Sequence, residues 1–265
     1  MVWHAAVKLA YDGRAFMGSQ RQPGERTVEG ETIEALARIG AITSPAESRF
    51  RFASRTDRGV SALGNVAAFC TDFEQGALLR ALNAASEDLF FFAWAEVPDS
   101  FTPRRARGRW YRYLLPAEGL DLGRVRECAA LFEGRHDFKR FCKPDGRSTM
   151  KTVTSVEVRQ QDGLLVVDLR AREFLRNMVR RTVAAMSEVG KGRASLEEVR
   201  AALNGEDTSF GLAPAEQLTL MDIEYAFDFV METPPTLSRK VAAYQLDARS
   251  RLALVDGLVT RIGSL

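Results

Sequence analysis

The chain has 265 residues, of which 46% are hydrophobic and 27% are charged, and its formal net charge is +2. This composition is typical of a soluble globular protein with room for one large domain or two modest ones. The longest apolar runs, such as residues 89–95, are too short to span a bilayer. The N-terminus lacks the pattern of a signal peptide. We therefore expect no association with a membrane.

The sequence offers few residues that bind metals or form disulfides. Its cysteines are odd in number and scattered, which favours a reducing, cytoplasmic location without disulfides. No group of cysteines and histidines has zinc-ligand spacing. A Walker-type loop and a Gly-x-Gly-x-x-Gly turn after a strand are also absent from the sequence. We therefore expect no metal and no cofactor. The residues concerned are Cys70, Cys128, Cys142, His4 and His136.

The first part of the chain, residues 1–102, shows the order strand, helix, strand, strand, helix, strand. Thr27 is suited to cap the first helix. This order is that of a ferredoxin-like α+β unit. The ranges expected for these elements are 3–11, 27–40, 49–53, 66–70, 76–84 and 89–97.

The second part, residues 103–230, repeats this order with insertions. Ser195 and Glu198 form an expected capping box. Two α+β subdomains are therefore expected, which either share one sheet or face each other across a cleft. The tail, residues 231–265, is expected to add two short helices at 241–246 and 252–262. Strands are expected at 107–115, 152–159, 164–171 and 218–227, and helices at 122–132, 174–189 and 196–203.

Positive charge is concentrated in three arginine-rich segments, although the net charge is small. Aromatic residues such as Trp110 and Phe174 lie among the arginines. Such segregation favours a face that binds nucleic acid. Any one segment taken alone is more typical of a solvated surface. RNA contacts are expected from Arg14, Arg21, Arg55, Arg58, Arg104, Arg105, Arg107, Arg109 and Arg176.

Asp57 lies in a predicted connection between two strands, with Arg55 and Arg58 on either side. Neighbouring guanidinium groups favour an ionised carboxylate, which makes Asp57 a candidate nucleophile. Asp, Arg and Gly are also ordinary turn residues, so this motif alone leaves both interpretations open. Arg180, in the middle of a predicted helix, could reach a buried carboxylate or could lie on the surface.

Five motifs resemble those of the tRNA pseudouridine synthase A (TruA) family, and they follow one another in the family's order. The version of the Asp57 motif found here, with Ser54 and Ser61, is more similar to archaeal and eukaryotic members than to bacterial ones. The resemblance covers nearly the whole body and ends near Val230. The motifs are Tyr11-Asp12-Gly13 with Thr27-Val28-Glu29-Gly30, Arg55-Thr56-Asp57 with Gly59-Val60, Arg109-Trp110-Tyr111-Arg112-Tyr113, Met178-Val179-Arg180, and Leu212-Ala213-Pro214-Ala215.

The resemblance implies the pseudouridine synthase fold: α+β, with two ferredoxin-like (RRM-like) subdomains, a mixed and mainly antiparallel sheet, and a central RNA-binding cleft. It implies a homodimer that isomerises uridine to pseudouridine at positions 38–40 of the tRNA anticodon arm. Asp57 would be the nucleophile and would attack either the uracil ring or the ribose anomeric carbon. Arg180 would keep Asp57 ionised, and Tyr111 would stack on the base and assist proton transfer.

Two other classes of protein remain open from the residues alone. A non-catalytic RRM-like RNA-binding module would explain the basic and aromatic segments but would leave Asp57 without a role. A glycosidase or nuclease usually needs paired carboxylates or acidic residues around a metal. The Asp57 loop has neither nearby in sequence, so a hydrolytic enzyme is the weaker alternative.

Overall fold

The computed structural model describes residues 1–263, and at its centre lies one ten-stranded mixed sheet. The α+β fold class expected from the sequence is confirmed. The strands are β1 (Trp3–Tyr11), β2 (Arg51–Phe52), β3 (Ser61–Thr71), β4 (Leu89–Glu96), β5 (Gly108–Pro116), β6 (Gly134–Asp137), β7 (Met150–Gln161), β8 (Leu164–Ala171), β9 (Leu218–Glu224) and β10 (Val230–Met231). The helices are α1 (Val28–Arg38), α2 (Gln75–Ala85), α3 (Leu122–Ala130), α4 (Met178–Gly190), α5 (Leu196–Leu203) and α6 (Pro235–Ile262).

The two parts of the chain share this sheet, which was one of the two arrangements that the sequence left open. The strand order is β10-β4-β1-β3-β9-β5-β8-β7-β6, and β2 pairs with β3. The junction is β9, which pairs in parallel with the start of β3 and antiparallel with β5. The predicted division into residues 1–102, 103–230 and 231–265 stays a prediction, and its last two residues lie outside those described.

The junction strand brings two distant segments close together. Leu220 of β9 pairs with Ala62 on one side and with Tyr111 on the other. Neighbouring strands lie about 4.8 Å apart, so the start of β3 and the middle of β5 are separated by about 10 Å. The loop that precedes β3 contains Asp57. The sheet therefore places Asp57 and Tyr111 at the same part of the molecule.

Apolar residues from the helices and the sheet form the core. Leu78, Leu79 and Leu82 of α2 are fully buried, as are Val7 and Leu9 of the central strand β1. Burial of one such side chain contributes about 1.5–3 kcal/mol to folding. The many buried residues on either side of the sheet make it a rigid support for the loops at its edge.

Two elements near the candidate site differ from the prediction. The strand expected at 49–53 is reduced to β2, because Arg49 adopts a left-handed conformation with φ 52°. The helix expected from 174 begins instead at Met178, because Asn177 has φ 63° and cannot continue a right-handed helix backwards. Phe174 therefore lies in a connecting loop between β8 and α4.

The largest difference concerns the tail, where one helix replaces the two that were expected. Helix α6 runs without interruption for 28 residues. The residues between the two predicted segments support it, since Arg251 forms an ion pair with Asp247 at 3.0 Å. The short strands β6 and β10 were not predicted, because each has too few residues to show a periodic pattern. Within residues 1–263, no helix combines the length and apolar character that crossing a membrane requires.

Candidate active site

Asp57 lies on the loop between β2 and β3, in a tight turn. The Val60 amide donates a hydrogen bond to the Asp57 carbonyl at 3.1 Å. Gly59 completes the turn with φ 87°, a value that residues with a side chain rarely adopt. The Asp57 side chain is 32% exposed, so the protein holds it while leaving it accessible to a substrate.

The residue before Asp57 is held by a buried polar network. The Thr56 amide donates to Ser19 Oγ at 2.7 Å, and the Ser19 amide donates to the Thr56 carbonyl at 3.0 Å. The Thr56 hydroxyl is hydrogen-bonded to the Tyr11 hydroxyl at 2.9 Å, and Asn65 Nδ2 donates to that same Tyr11 oxygen. Burial raises the pKa of Tyr11 to about 12, so its hydroxyl stays protonated at neutral pH. The network fixes the backbone that presents Asp57.

The loop that follows β1 packs directly against the Asp57 turn. A methyl group at Gly13 would lie 2.2 Å from the carbonyl oxygen of Val60, a distance that no real contact allows. The Gly13 amide also donates to the Ser61 hydroxyl at 3.0 Å. This close approach explains why the Tyr11-Asp12-Gly13 motif requires glycine at its third position.

Arg180, on the first turn of α4, contacts Asp57 from the other part of the chain. Its Nη1 lies 3.3 Å from Asp57 Oδ2. Its Nε donates to the Ala213 carbonyl at 2.7 Å, which orients the guanidinium. The Arg180 side chain is only 15% exposed. Of the two positions that the sequence left open, the structure shows the one in which Arg180 faces the carboxylate.

Tyr111 lies close to this pair, on the face of β5 that points into the protein. It is 7% exposed, and its ring meets that of Phe174 edge to face at 5.2 Å. Burial raises the pKa of Tyr111 well above its ordinary value, and the negative charge of Asp57 adds to this effect. Within the described residues its hydroxyl makes no hydrogen bond. The phenol is thus protonated at neutral pH.

A late loop, residues 212–217, forms a further wall of the site. The Pro214 carbonyl accepts a hydrogen bond from the Tyr113 hydroxyl at 2.9 Å. Ala215 and Glu216 lie close to Gly59 in the Asp57 turn. The residue types in this loop did not predict that it belongs to the site, because they form no pattern of ionisable side chains. The only signal for it was the motif around Ala213 and Pro214.

The predicted RNA-binding arginines do not all lie together. Arg21, Arg55 and Arg104 line one groove beside the Asp57 loop, together with Gln20 and Gln22. Others are exposed outside this lining, and Arg14 of this group is paired with Asp12 at 2.6 Å. The exposed arginines outside the lining are Arg14, Arg58, Arg105, Arg107 and Arg176.

Arg109 has a different role from the predicted RNA contact. It is 9% exposed, and each of its guanidinium nitrogens donates a hydrogen bond inside the protein. The acceptors are Ser54 Oγ at 2.9 Å, the Arg172 carbonyl at 2.6 Å and the Arg104 carbonyl at 3.0 Å. Arg109 therefore ties the start of the Asp57 loop to two segments of the second part, and RNA cannot reach its guanidinium.

We expect Arg109→Ala to lower the free energy of unfolding by about 2–4 kcal/mol, because three buried hydrogen bonds of a charged donor are lost. Arg107→Ala, two residues away on the same chain segment, removes an exposed side chain and should change it by less than about 0.5 kcal/mol. Urea unfolding followed by circular dichroism measures both values. Equal stability of the two variants would contradict a structural role for the three Arg109 hydrogen bonds.

A candidate group of metal ligands lies at the opposite end of β1 and β3 from Asp57. One ligand atom from each of His4, Cys70 and Asp99 lies within 4.8 Å of the others. His4 and Cys70 are cross-strand neighbours, whereas the Asp57 end of the same strands is marked by Tyr11 and Ala62. His4 Nδ1 is 3.0 Å from the Pro98 carbonyl, which already accounts for its position. This group takes no part in the candidate active site.

Comparisons with known proteins show what this chain is similar to. A family model described as tRNA pseudouridine synthase matches residues 128–226. A tRNA pseudouridine synthase A from Pyrococcus abyssi is 46% identical over 224 residues, which cover 83% of this chain and 84% of that protein. Its counterpart from Thermococcus kodakarensis is 48% identical over 225 residues, with the same coverage. A chain from a crystal structure of a Cbf5-Nop10-Gar1 complex overlaps 69% of this chain and 45% of its own length, with 14% identity and a TM-score of 0.35.

The matches to curated relatives place the chain among the pseudouridine synthases, in agreement with its α+β fold. Since its relatives are more than 40% identical over most of both lengths, the chain belongs to the tRNA pseudouridine synthase A family, a family of isomerases. The family resemblance drawn from the motifs is confirmed, and both of these relatives come from archaea, one of the two groups that the Asp57 motif favoured.

Proposed function

We propose that this protein isomerises uridine to pseudouridine at positions 38–40 in the anticodon arm of tRNA, with Asp57 as the nucleophile. The observation that carries this proposal is the ion pair between Asp57 and Arg180, two residues 123 positions apart, beside Tyr111 and next to a basic groove. An accessible carboxylate held by a guanidinium suits nucleophilic attack. A passive RNA-binding module has no need of such a pair.

The rearrangement is balanced within the nucleotide. The bond from the ribose anomeric carbon to N1 of uracil breaks, and a new bond forms from that carbon to C5. The proton on C5 leaves, and N1 gains one, so the product has the same atoms as the substrate. Asp57 attacks either the uracil ring or the anomeric carbon and is released when the new bond is complete. Arg180 offsets the charge of Asp57 before and after this cycle.

Tyr111 would support the extruded uracil ring and help move the C5 proton. Because burial keeps its phenol protonated, Tyr111 is suited to relay or donate a proton rather than to act as a permanent base. The edge of Phe174 holds the Tyr111 ring in place. Stacking and proton transfer are separable, since only the second requires the hydroxyl.

We expect Tyr111→Phe to retain tRNA affinity but to lower kcat by about 10²–10⁴-fold, the usual range when one group in acid–base catalysis is lost. The matched control is Tyr225→Phe, which removes a hydroxyl bound to the Pro103 carbonyl. Single-turnover rates separate chemistry from binding. Unchanged turnover in Tyr111→Phe would mean that Tyr111 only stacks on the uracil ring and takes no part in proton transfer.

The basic groove would bind the RNA backbone. Uracil cannot reach Asp57 while it is stacked, so the nucleotide must be flipped out of the arm. Arg55 is exposed, lines the groove and lies two residues from Asp57. It is therefore the arginine best placed to contact the distorted backbone. Structured RNA is read largely through its phosphates and 2′-hydroxyls, which arginines and amides bind well.

We expect Arg55→Ala to weaken tRNA binding and to reduce the slope of log Kd against log salt by about one, as the loss of one phosphate contact does. Arg200→Ala on α5, whose side chain is paired with Glu197, should leave this slope unchanged. Filter binding at a series of salt concentrations gives both slopes. Equal slopes in the two variants would remove Arg55 from the RNA interface.

The function itself is tested with tRNA that contains tritium at C5 of uracil. Isomerisation releases tritium to water, so we expect release that depends on enzyme, and sequencing should map the product to positions 38–40. Binding without release would instead identify an RNA-binding module. Loss of activity on addition of EDTA would instead favour the alternative of a metal-dependent hydrolase.

The proposal includes a homodimer, which the family resemblance implies, and a cytoplasmic location, which the cysteine pattern favours. All three cysteines are free thiols, which is compatible with a reducing compartment. The oligomeric state can be measured on the purified chain without RNA, independently of the catalytic assay.

A further inference from the structure

Three side chains that can bind a metal meet at the end of the sheet away from Asp57. His4 and Cys70 lie directly opposite each other on the antiparallel strands β1 and β3, so their side chains share one face of the sheet. Asp99 lies in the loop that follows β4. One ligand atom of each residue lies within 4.8 Å of the other two. Because the three residues are far apart in the sequence, a search for ligand spacing along the chain does not find them.

The His4 ring is held in the way that is usual for a metal-binding imidazole. A carbonyl oxygen only accepts hydrogen bonds, so the contact between His4 Nδ1 and the Pro98 carbonyl at 3.0 Å assigns the proton to Nδ1. Nε2 then carries the free lone pair. A histidine that binds a metal almost always donates its other ring N–H to a carbonyl or carboxylate, because this fixes the ring and makes the ligand more basic.

The loop that carries Asp99 is fixed to the same histidine. The Val97 amide donates a hydrogen bond to the His4 carbonyl at 2.9 Å. The Phe101 amide donates to the Pro98 carbonyl at 2.8 Å, which closes a turn around Asp99. The backbone of Asp99 is therefore held beside His4, while its exposed side chain is free to rotate towards an ion.

The candidate ligand atoms of Cys70 and Asp99 have no competing partner. Cys70 is a half-buried free thiol, and within residues 1–263 neither its sulfur nor the Asp99 carboxylate forms a hydrogen bond or an ion pair. Imidazole, thiolate and carboxylate together suit Zn²⁺, whereas Mg²⁺ and Ca²⁺ prefer oxygen ligands alone. The negative charges of a thiolate and a carboxylate also balance the two charges of the ion.

The spacing of the ligand atoms is close to what a zinc site requires. With bonds of about 2.0–2.3 Å, the ligand atoms of a tetrahedral zinc ion lie about 3.3–3.8 Å apart. The limit of 4.8 Å found here requires the group to close by about 1 Å at most. Small rotations of the Cys70 and Asp99 side chains supply such a movement.

We propose that His4 Nε2, Cys70 Sγ and the Asp99 carboxylate bind one Zn²⁺ ion, with a water molecule as the fourth ligand. The ion fastens the loop after β4 to β1 and β3. This loop begins the connection to β5 that carries Arg104 of the basic groove. Because the site lies at the other end of these strands from Asp57, its role is structural. The inference does not rest on the proposed function.

The first test measures zinc binding to the full chain after its metal has been removed with a chelator. Calorimetric titration with Zn²⁺ should give one ion per chain. We expect Cys70→Ala to weaken this binding by at least about 100-fold, since even the loss of a group that only supports a ligand costs about 10–100-fold. The matched control is Cys142→Ala, which removes a buried thiol outside the group and should stay within about threefold of the parent. Absence of zinc binding in the parent, or equal affinities of the two variants, would overturn the site.

The second test follows the alkylation of Cys70 by iodoacetamide with peptide mass spectrometry. Cys128 and Cys142 are buried, so Cys70 is the thiol that reacts most readily. Bound Zn²⁺ should slow this reaction by at least about tenfold, because a sulfur that coordinates zinc is a poor nucleophile. Asp99→Asn should lose most of the protection, and its fold should be intact because Asp99 is exposed. Asp162→Asn, in the exposed turn between β7 and β8, should keep it. Equal alkylation rates with and without Zn²⁺ in the parent would overturn the proposal.

Stability and catalysis separate this inference from the proposed function. Free Zn²⁺ at about 100 times its Kd should raise the Tm of the parent by about 5–10 °C and leave that of Cys70→Ala unchanged. Asp99→Asn should release tritium from tRNA at the parent's rate. Loss of tritium release in Asp99→Asn would overturn the structural role of the ion, while a failure of the parent to release tritium would judge only the proposed function.

Discussion

The Asp57→Ala variant is expected to lose isomerase activity by on the order of 10⁴–10⁶-fold, the loss seen when a covalent nucleophile is removed from other enzymes. Thr56 and Gly59 hold the turn rigidly, so a shift of its backbone should not compensate for the lost carboxylate. Asp57→Asn should have nearly the same effect, because it keeps the shape of the side chain but not its nucleophilic charge.

Folding and tRNA affinity of Asp57→Ala should match those of the parent. The side chain is partly exposed and contributes no packing, and its removal takes a negative charge away from an RNA-binding region. Asp72→Ala is the matched control, because Asp72 is an exposed aspartate just after the far end of β3. An active Asp57→Ala enzyme would refute the assignment of the nucleophile.

For Arg180→Met, a decrease in kcat of about 10²–10³-fold is expected, comparable with the loss of one preorganised electrostatic contact. Methionine fills a similar volume but leaves the Asp57 carboxylate without its partner and the Ala213 carbonyl without its donor. Arg180→Lys should recover only part of the rate. A single ammonium cannot reproduce the fork that contacts both groups.

Comparing the change in kcat with the change in Kd for tRNA distinguishes a contact of Arg180 with Asp57 from a contact with an RNA phosphate. If Arg180 acts on Asp57, kcat falls and Kd for tRNA changes by no more than a few fold. If it bound phosphate instead, affinity and the salt slope would fall together. Arg193→Met is the matched control, since Arg193 is an exposed arginine paired with Glu188 just after α4.

The sequence was sufficient for most of the local structure near the site. Alternate residues of a strand share a face, and in β5, which was expected as a strand, Tyr111 and Tyr113 do so and are both buried. The capping box at Ser195 is present, with hydrogen bonds in both directions. These features depend on neighbours within a few residues, which is why a linear pattern contains them.

The errors arose where distant contacts decide the outcome. Arg109 has the composition of an RNA-binding segment, yet acceptors from three separate parts of the chain enclose it. Helix α4 begins later than expected because the backbone of Asn177 is left-handed, and a periodic pattern contains no information on such a conformation. The length of α6 was underestimated because polar residues around Asp247 interrupted its apolar stripe.

By itself the sequence determined the fold class, the order of the main elements, the identity of Asp57 as the reactive candidate and the family. Propensity, periodicity and short motifs are local properties, so they can be read along the chain. Only the tertiary structure decided that Arg180 faces Asp57, that Arg109 is withdrawn from RNA, and that the loop at Ala213 closes the site. Those outcomes depend on β9, which joins two strands from opposite halves of the chain, and side chains so far apart in sequence meet only once the sheet has formed.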